Sequence, residues 1–273
     1  MAFLEKVLDI AIKKDSVRLV VMNGSRVNPN VIPDKYQDFD IVFYVNRYKE
    51  FLKDNSYLNT LGEVLVKQYS SDQRDGSLNI EDSFIYMIQF KDGNRLDLTI
   101  RDIKYAVTDF NENSLSKVLL DREGLNLIDN PNESSYYVKP ITKEDFNFCI
   151  NEFYWVCPYI AKGVKREQLF YAIKHLDIIR HELEIMIDWW IGDKHNFKIS
   201  VGKGKSRYKD LLLEETYEIY KNTYPSLETE NIMNALYQAI ILFDLLASEL
   251  ANKYSYDYPS NLKTDIIAFL KQY

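Results

Sequence analysis

Residues 17–45 read VRLVVMNGSRVNPNVIPDKYQDFDIVFYV, and this stretch decides the fold. Val17, Leu19, Val20, Val21 and Met22 make a near-continuous apolar run, the signature of a strand buried on both faces. Asn23-Gly24-Ser25 follows at once. Gly24 allows a sharp turn and a close backbone approach to a ligand, and Ser25 adds a hydroxyl and an N–H. A loop holding Pro29 and Pro33 leads to Asp38-Phe39-Asp40 and then to Ile41, Val42, Phe43, Tyr44 and Val45. Side chains alternate along a strand, so Asp38 and Asp40 share one face while Phe39 and Ile41 take the other. Two carboxylates on a hydrophobic strand are costly unless a cation neutralises them. Magnesium suits that need, with oxygen ligands and room for substrate phosphates.

Gly24-Ser25, a spacer and Asp38-x-Asp40 resemble the nucleotidyltransferase superfamily of the DNA polymerase β type. The fuller strings GSRVNPN and QDFDIVFYV resemble the aminoglycoside 6-adenylyltransferases that modify streptomycin. The stretches NEFYWV, AKGVKREQLFYAIKHLDIIR, DWWIG and SVGKGKSRYKDLL extend the resemblance over almost the whole chain. One departure is Arg180-His181, where the family usually reads Arg-Pro; His181 is left without a role.

Outward from the opening stretch, Phe3, Leu4, Val7, Leu8, Ala11 and Ile12 recur at helical spacing and predict a helix over 2–14 packed on a sheet. Asn46 is expected to cap a short helix reaching 54, with a weak strand over 63–69 and a polar loop over 70–82. The runs 84–90 and 95–100 flank Asp92-Gly93, a strong hairpin signal that puts Asp97 inside a strand. A short helix over 102–110 and a strand over 117–120 follow. Residues 129–135, DNPNESS, have linker composition. From Thr142, which with Asp145 resembles a capping box, helical periodicity dominates. Helices are expected over 166–190, stopped by Gly192, and over 211–220, 231–254 and 262–270. The fold class is therefore α+β: a mixed-sheet nucleotidyltransferase domain, 1–135, then an all-α helical domain, 136–273, closing over it with a cleft as the active site.

The 273 residues are 46% hydrophobic and 27% charged, an ordinary globular composition. A net charge of −7 argues against a nucleic-acid backbone as partner and is compatible with a cationic substrate. Cys149 and Cys157 make neither a disulfide framework nor a zinc site, and read as reduced and packed. The N-terminus, broken by Glu5, Lys6 and Asp9, is an amphipathic helix rather than a signal peptide. By the sequence, no apolar run is expected to reach the roughly 18 residues of a membrane span, and the expectation is a soluble, cytoplasmic protein.

The resemblance implies that Asp38, Asp40 and Asp97 form a carboxylate triad holding Mg2+, two ions being expected, with ATP as co-substrate. Asp97 then serves as metal ligand, general base or both. Gly24, Ser25 and Arg26 are the expected triphosphate contacts. Gly202-Lys203-Gly204-Lys205-Ser206 is no P-loop, because position 199 is Ile rather than Gly. It can still offer Lys203 or Lys205 to phosphate, or be a solvated loop. Asp177, His181, Glu184 and Asp188 fall at i, i+4, i+7 and i+11, either a wet face or an acidic wall for a cation. Glu152, Asp177 and Glu184 are the candidate acceptor contacts. The implied reaction is transfer of AMP from ATP-Mg to a hydroxyl of streptomycin, giving antibiotic resistance. Alternatives are another hydroxylated acceptor, such as a different aminoglycoside or a lincosamide, a protein-modifying nucleotidyltransferase, or a non-catalytic nucleotide-binding protein.

Overall fold

The structure is a computed structural model and describes residues 2–72 and 80–272. It forms two compact units, Met1–Ser135 and Tyr136–Tyr273. The first holds a six-stranded sheet in the order β3-β4-β5-β2-β1-β6, with β1 Val17–Asn23, β2 Phe39–Val45, β3 Val64–Tyr69, β4 Ser83–Phe90, β5 Arg95–Asp102 and β6 Ser116–Asp121. Among the described residues only β2 and β5 run parallel; the other pairs are antiparallel, so the sheet is mixed. Its central strands are covered on both faces. Val20, Met22, Ile41 and Phe43 join one core layer, and Leu19, Val21, Val42 and Tyr44 join another. That is why residues 19–22 and 41–45 read as continuous apolar runs rather than as alternation.

Helix α1, Phe3–Lys13, lays Phe3, Val7, Ile10 and Ala11 on the first layer. Ile12 was expected in that stripe but points away and is exposed. Asn46 does not cap a helix. Its N–H donates to the Ser16 carbonyl, Arg47 turns left-handed at φ +52°, and only then does the one-turn helix α2, Tyr48–Phe51, begin. Of the loop expected over 70–82, Ser70–Asp72 form a 3-10 turn and 73–79 lie outside the described residues. Gly93, at φ +90°, closes the β4–β5 hairpin, where the Asn94 N–H donates to Asp92 Oδ1. A 3-10 turn, Ile103–Tyr105, leads into α3, Ala106–Glu112.

Among the described residues the regular elements of the second unit are all helices: α4 Lys143–Lys165, α5 Leu169–Lys194, α6 Tyr208–Leu211, α7 Glu214–Lys221, α8 Thr229–Tyr254 and α9 Leu262–Leu270. Thr142 and Asp145 cap α4 reciprocally, the Thr142 hydroxyl accepting from the Asp145 N–H and donating to its carboxylate. Helix α5 begins three residues later than periodicity predicts, because Glu167 turns left-handed (φ +58°) at the α4–α5 corner. Gly192 does not stop α5. It lies inside the last turn against Val138 and Phe197, where a Cβ would fall 2.9 and 2.8 Å from their side chains. It is glycine for close packing, a signal easily misread as a stop. The helix expected over 211–220 is broken in two around Leu212 and Leu213.

One helix, α8, is long and apolar enough to cross a membrane by length and composition alone, contrary to the expectation from the sequence. Its apolar face, from Ile232 and Leu236 to Phe243, Leu246 and Leu250, is the buried centre of the bundle. Phe243 stacks there on Phe153 at 3.8 Å.

Candidate active site

Backbone register sets the site. Asn23 at the end of β1 pairs with Asp40 of β2 on one side and Ser116 of β6 on the other, and Asp40 pairs with Asp97 of β5. Residues directly opposite in neighbouring strands share a face, so Asp97, Asp40, Asn23 and Ser116 form one row across four strands. Asp38 stands two residues before Asp40, just ahead of β2. All three carboxylates are partly buried at the ends of apolar strands.

Gly24 follows Asn23 at φ +76°. A Cβ there would fall 2.6 Å from Asp40 Oδ2, so glycine lets the carboxylate pass close behind the turn. The Gly24 N–H is already given to the Leu115 carbonyl at 3.0 Å. It therefore does not face a ligand as expected, and the turn's polar offer rests on Ser25.

Arg26 also departs from expectation. Its Nε donates to the Asp38 carbonyl (3.0 Å), its Nη2 to the Gln37 carbonyl (2.6 Å), and its guanidinium lies 3.6 Å over the Phe39 ring. Gln37 Nε2 donates in turn to the Ser25 carbonyl. Arg26 is a strap that closes the 24–38 loop, so its effect on charge at the site is exerted from the side.

The counter-ion of the triad is Arg95, two residues before Asp97 on the same face of β5. Its Nε and Nη2 donate to the two Asp97 oxygens at 3.1 and 2.8 Å, and its Nη1 lies 3.4 Å from Asp38 Oδ2. The Asp97 hydrogen bonds hold its guanidinium above the ordinary value, against the opposing pull of burial. Among the described residues no three His, Cys, Asp or Glu side chains close around a single point. Three carboxylates against one guanidinium still leave an excess of negative charge, and all the donors are hard oxygens, a set that suits a divalent cation.

The model of the streptomycin adenylyltransferase family matches residues 1–273. The chain belongs to the streptomycin adenylyltransferase family. It is accordingly a nucleotidyltransferase. It is 33% identical over 255 residues to an aminoglycoside 6-adenylyltransferase of Bacillus subtilis (strain 168), covering 92% of this chain and 90% of the relative. A Campylobacter jejuni protein of the same description is 34% identical, covering 93% and 88%. A Staphylococcus aureus one is 31% identical, covering 98% and 96%. The crystal structure of an aminoglycoside 6-adenyltransferase from Bacillus subtilis is similar with a TM-score of 0.48 at 26% identity, over 99% of this chain and 96% of that one.

The remaining sequence candidates of this family member lie in the helical unit. The stripe along α5 is mixed: Asp177 and His181 are exposed, whereas Glu184 and Asp188 are partly buried and bound to neighbouring side chains. Asp177 is exposed and pairs with Arg180, whose guanidinium is buried over Tyr224 and donates to the Thr223 carbonyl. Glu184 Oε1 accepts from the Tyr220 hydroxyl at 2.7 Å and the Tyr224 hydroxyl at 3.2 Å. Asp188 accepts from Tyr208 and Lys205. Lys205 is thereby engaged, while Lys203 is exposed on a one-turn 3-10 segment, Lys203–Lys205. Glu152 is half-buried on α4. His181 is exposed. Cys149 and Cys157 are free and buried, and burial pushes both thiols up.

Four features escaped the sequence reading: Arg95, the Asn23–Ser116 side-chain pair (2.8 Å), Glu133 and Glu182. An Arg two residues before a strand carboxylate is a usable signal for the first. Glu182 is buried with Oε2 unpartnered, and burial holds its carboxyl above the usual range.

Proposed function

We propose that this chain transfers AMP from ATP to a hydroxyl of streptomycin and thereby confers resistance to it. The observation that carries the reading is the aligned Asp40–Asp97 pair, with Asp38 beside it and the Gly24-Ser25 turn against Asp40. The relatives' description as aminoglycoside 6-adenylyltransferases supports an aminoglycoside acceptor, and the family's description supports streptomycin. A cytoplasmic setting, where ATP and magnesium are both at hand, suits such a reaction.

In this reading Asp38 and Asp40 hold magnesium, with Asp97 completing the set. Bound magnesium, as one ion or two, supplies Lewis-acid stabilisation of the charge that develops on the phosphates. Asp97 accepts the proton of the acceptor hydroxyl as that oxygen attacks the α-phosphorus and pyrophosphate leaves. Arg95 gives up its bonds to Asp38 and Asp97 when the nucleotide arrives, which frees their oxygens. Ser25 binds the triphosphate, with Gly24 giving it room and Arg26 fixing the loop. Lys203 adds a phosphate contact. Of the acceptor candidates Glu152 is the strongest, because Asp177 and Glu184 already have partners within the helical unit. Pyrophosphate release with ATP, magnesium and a panel of aminoglycosides tests the reading. Turnover with streptomycin supports it. Turnover with another aminoglycoside alone moves the acceptor, and no turnover with any member overturns it.

A further inference from the structure

The GSRVNPN string continues past the turn into Asn28-Pro29-Asn30, a part that neither the triad nor the triphosphate contacts absorb. Both asparagines donate to one carboxylate. Asn28 Nδ2 lies 2.8 Å from Glu133 Oε1 and Asn30 Nδ2 lies 2.9 Å from Glu133 Oε2. Glu133 is only 5% exposed. It sits two residues before Ser135, the end of the first unit.

The segment that carries Glu133 is itself tied to the site. The Ser114 hydroxyl donates to the Asn132 carbonyl at 2.6 Å, the Asn132 N–H donates to the Ser114 carbonyl, and the Ser135 N–H donates to the Ser114 hydroxyl. One residue further, Leu115 receives the Gly24 N–H, and the next, Ser116, donates its hydroxyl to Asn23. The bonds thus close a ring: from the Asn23-Gly24 turn to residues 114–116, on to residues 132–135, and through Glu133 back to Asn28 and Asn30. A buried carboxylate bridging two amides of one loop fixes that loop more tightly than either amide alone, because the bonds are charge-assisted and share one acceptor.

We propose that Glu133 is a positioning residue for the triphosphate turn, acting through Asn28 and Asn30 to set the shape in which Gly24-Ser25 receives a nucleotide. This rests on the reading of the turn given above. Loss of the clamp should loosen the turn and weaken nucleotide binding, while acceptor recognition, which does not use the turn, stays as it is.

Calorimetric titration of ATP-Mg into the full-length protein tests this on the parent, Glu133→Ala, Glu133→Gln, Asn28→Ala with Asn30→Ala, and all three alanine changes combined. Glu133→Ala should weaken nucleotide binding about tenfold, the worth of a buried charge-assisted contact. The asparagine pair should weaken it comparably, and the triple variant should be no worse than either, because the changes remove one clamp. Glu133→Gln, which keeps one acceptor oxygen, should fall between. In turnover, KM for ATP should rise and KM for the acceptor should not. Binding within twofold of the parent in folded Glu133→Gln and Asn28/Asn30 variants, or additive losses in the triple variant, would overturn the proposal while leaving the reaction intact. A parent that binds no ATP would overturn the reading of the site and the clamp with it.

Discussion

At the scale of single residues, the proposed chemistry rests on the strand register that sets Asp40 beside Asp97, with Asp38 just ahead of them. The Asp38-x-Asp40 spacing was legible because strand alternation is a rigid period of two, and Asp97 was legible because the Asp92-Gly93 turn fixed the strand around it. Arg95 was not, because an ion pair on one strand face depends on which face is turned inward. Arg26 read as a phosphate contact because a sequence cannot tell a guanidinium that faces a ligand from one that faces backbone carbonyls. Asp97→Asn separates the roles open to Asp97. If it is mainly the proton acceptor, turnover should fall by roughly 100-fold or more while ATP-Mg binding stays near that of the parent. Calorimetry with a non-hydrolysable ATP analogue reads the second quantity. Weakened binding would make Asp97 chiefly a metal ligand, and full activity would remove it from the site.

Among the elements, the strands and long helices followed from pattern, whereas helix ends did not. Gly192 read as a stop and is a packing glycine, and Asn46 read as a cap and is a bridge between loops. Neither local signal carries information about the surface that will press on it. Two buried acids on α5 make the energetic contrast testable. Burial pushes Asp193 up, but Lys253 (2.7 Å) and Tyr254 (2.6 Å) of α8 outweigh it and hold its carboxyl below the ordinary value. A depressed folded-state pKa contributes stability above the unfolded value, lost as pH falls through the folded one. Asp193→Asn should therefore destabilise by about 1–3 kcal/mol at neutral pH, with the difference vanishing in acid. Glu182 has the opposite sign: burial raises its carboxyl, so ionising it costs stability as pH rises. Glu182→Gln should be neutral in acid and stabilising at pH 7. Urea unfolding followed from pH 2 to pH 7 measures both, the Asp193 difference fading only below about pH 4 and the Glu182 difference growing above it, and equal pH trends for the two variants would refute the assignment.

For the molecule as a whole, charge sets the expectation for the acceptor. A protein of net charge −7 attracts a cationic acceptor through screened electrostatics. Net charge was legible from composition, but the identity of the carboxylates that matter was not. The α5 stripe looked uniform in sequence, yet Glu184 and Asp188 are bound to tyrosines drawn from α6, from α7 and from the residues after it. Glu152→Gln should raise the acceptor KM by roughly tenfold and leave KM for ATP unchanged, and added salt should shrink that gap. An acceptor KM equal to that of the parent at low and physiological salt would remove Glu152 from recognition.

The central claim is nucleotidyl transfer by the Asp38, Asp40 and Asp97 set onto an aminoglycoside hydroxyl. The most direct measurement is mass analysis of streptomycin after incubation with ATP, magnesium and either the parent protein or Asp40→Asn. The prediction is streptomycin carrying one AMP group with the parent, and a rate lower by roughly 100-fold or more with the equally folded variant. Unmodified streptomycin with the parent, or an undiminished rate with Asp40→Asn, would contradict it.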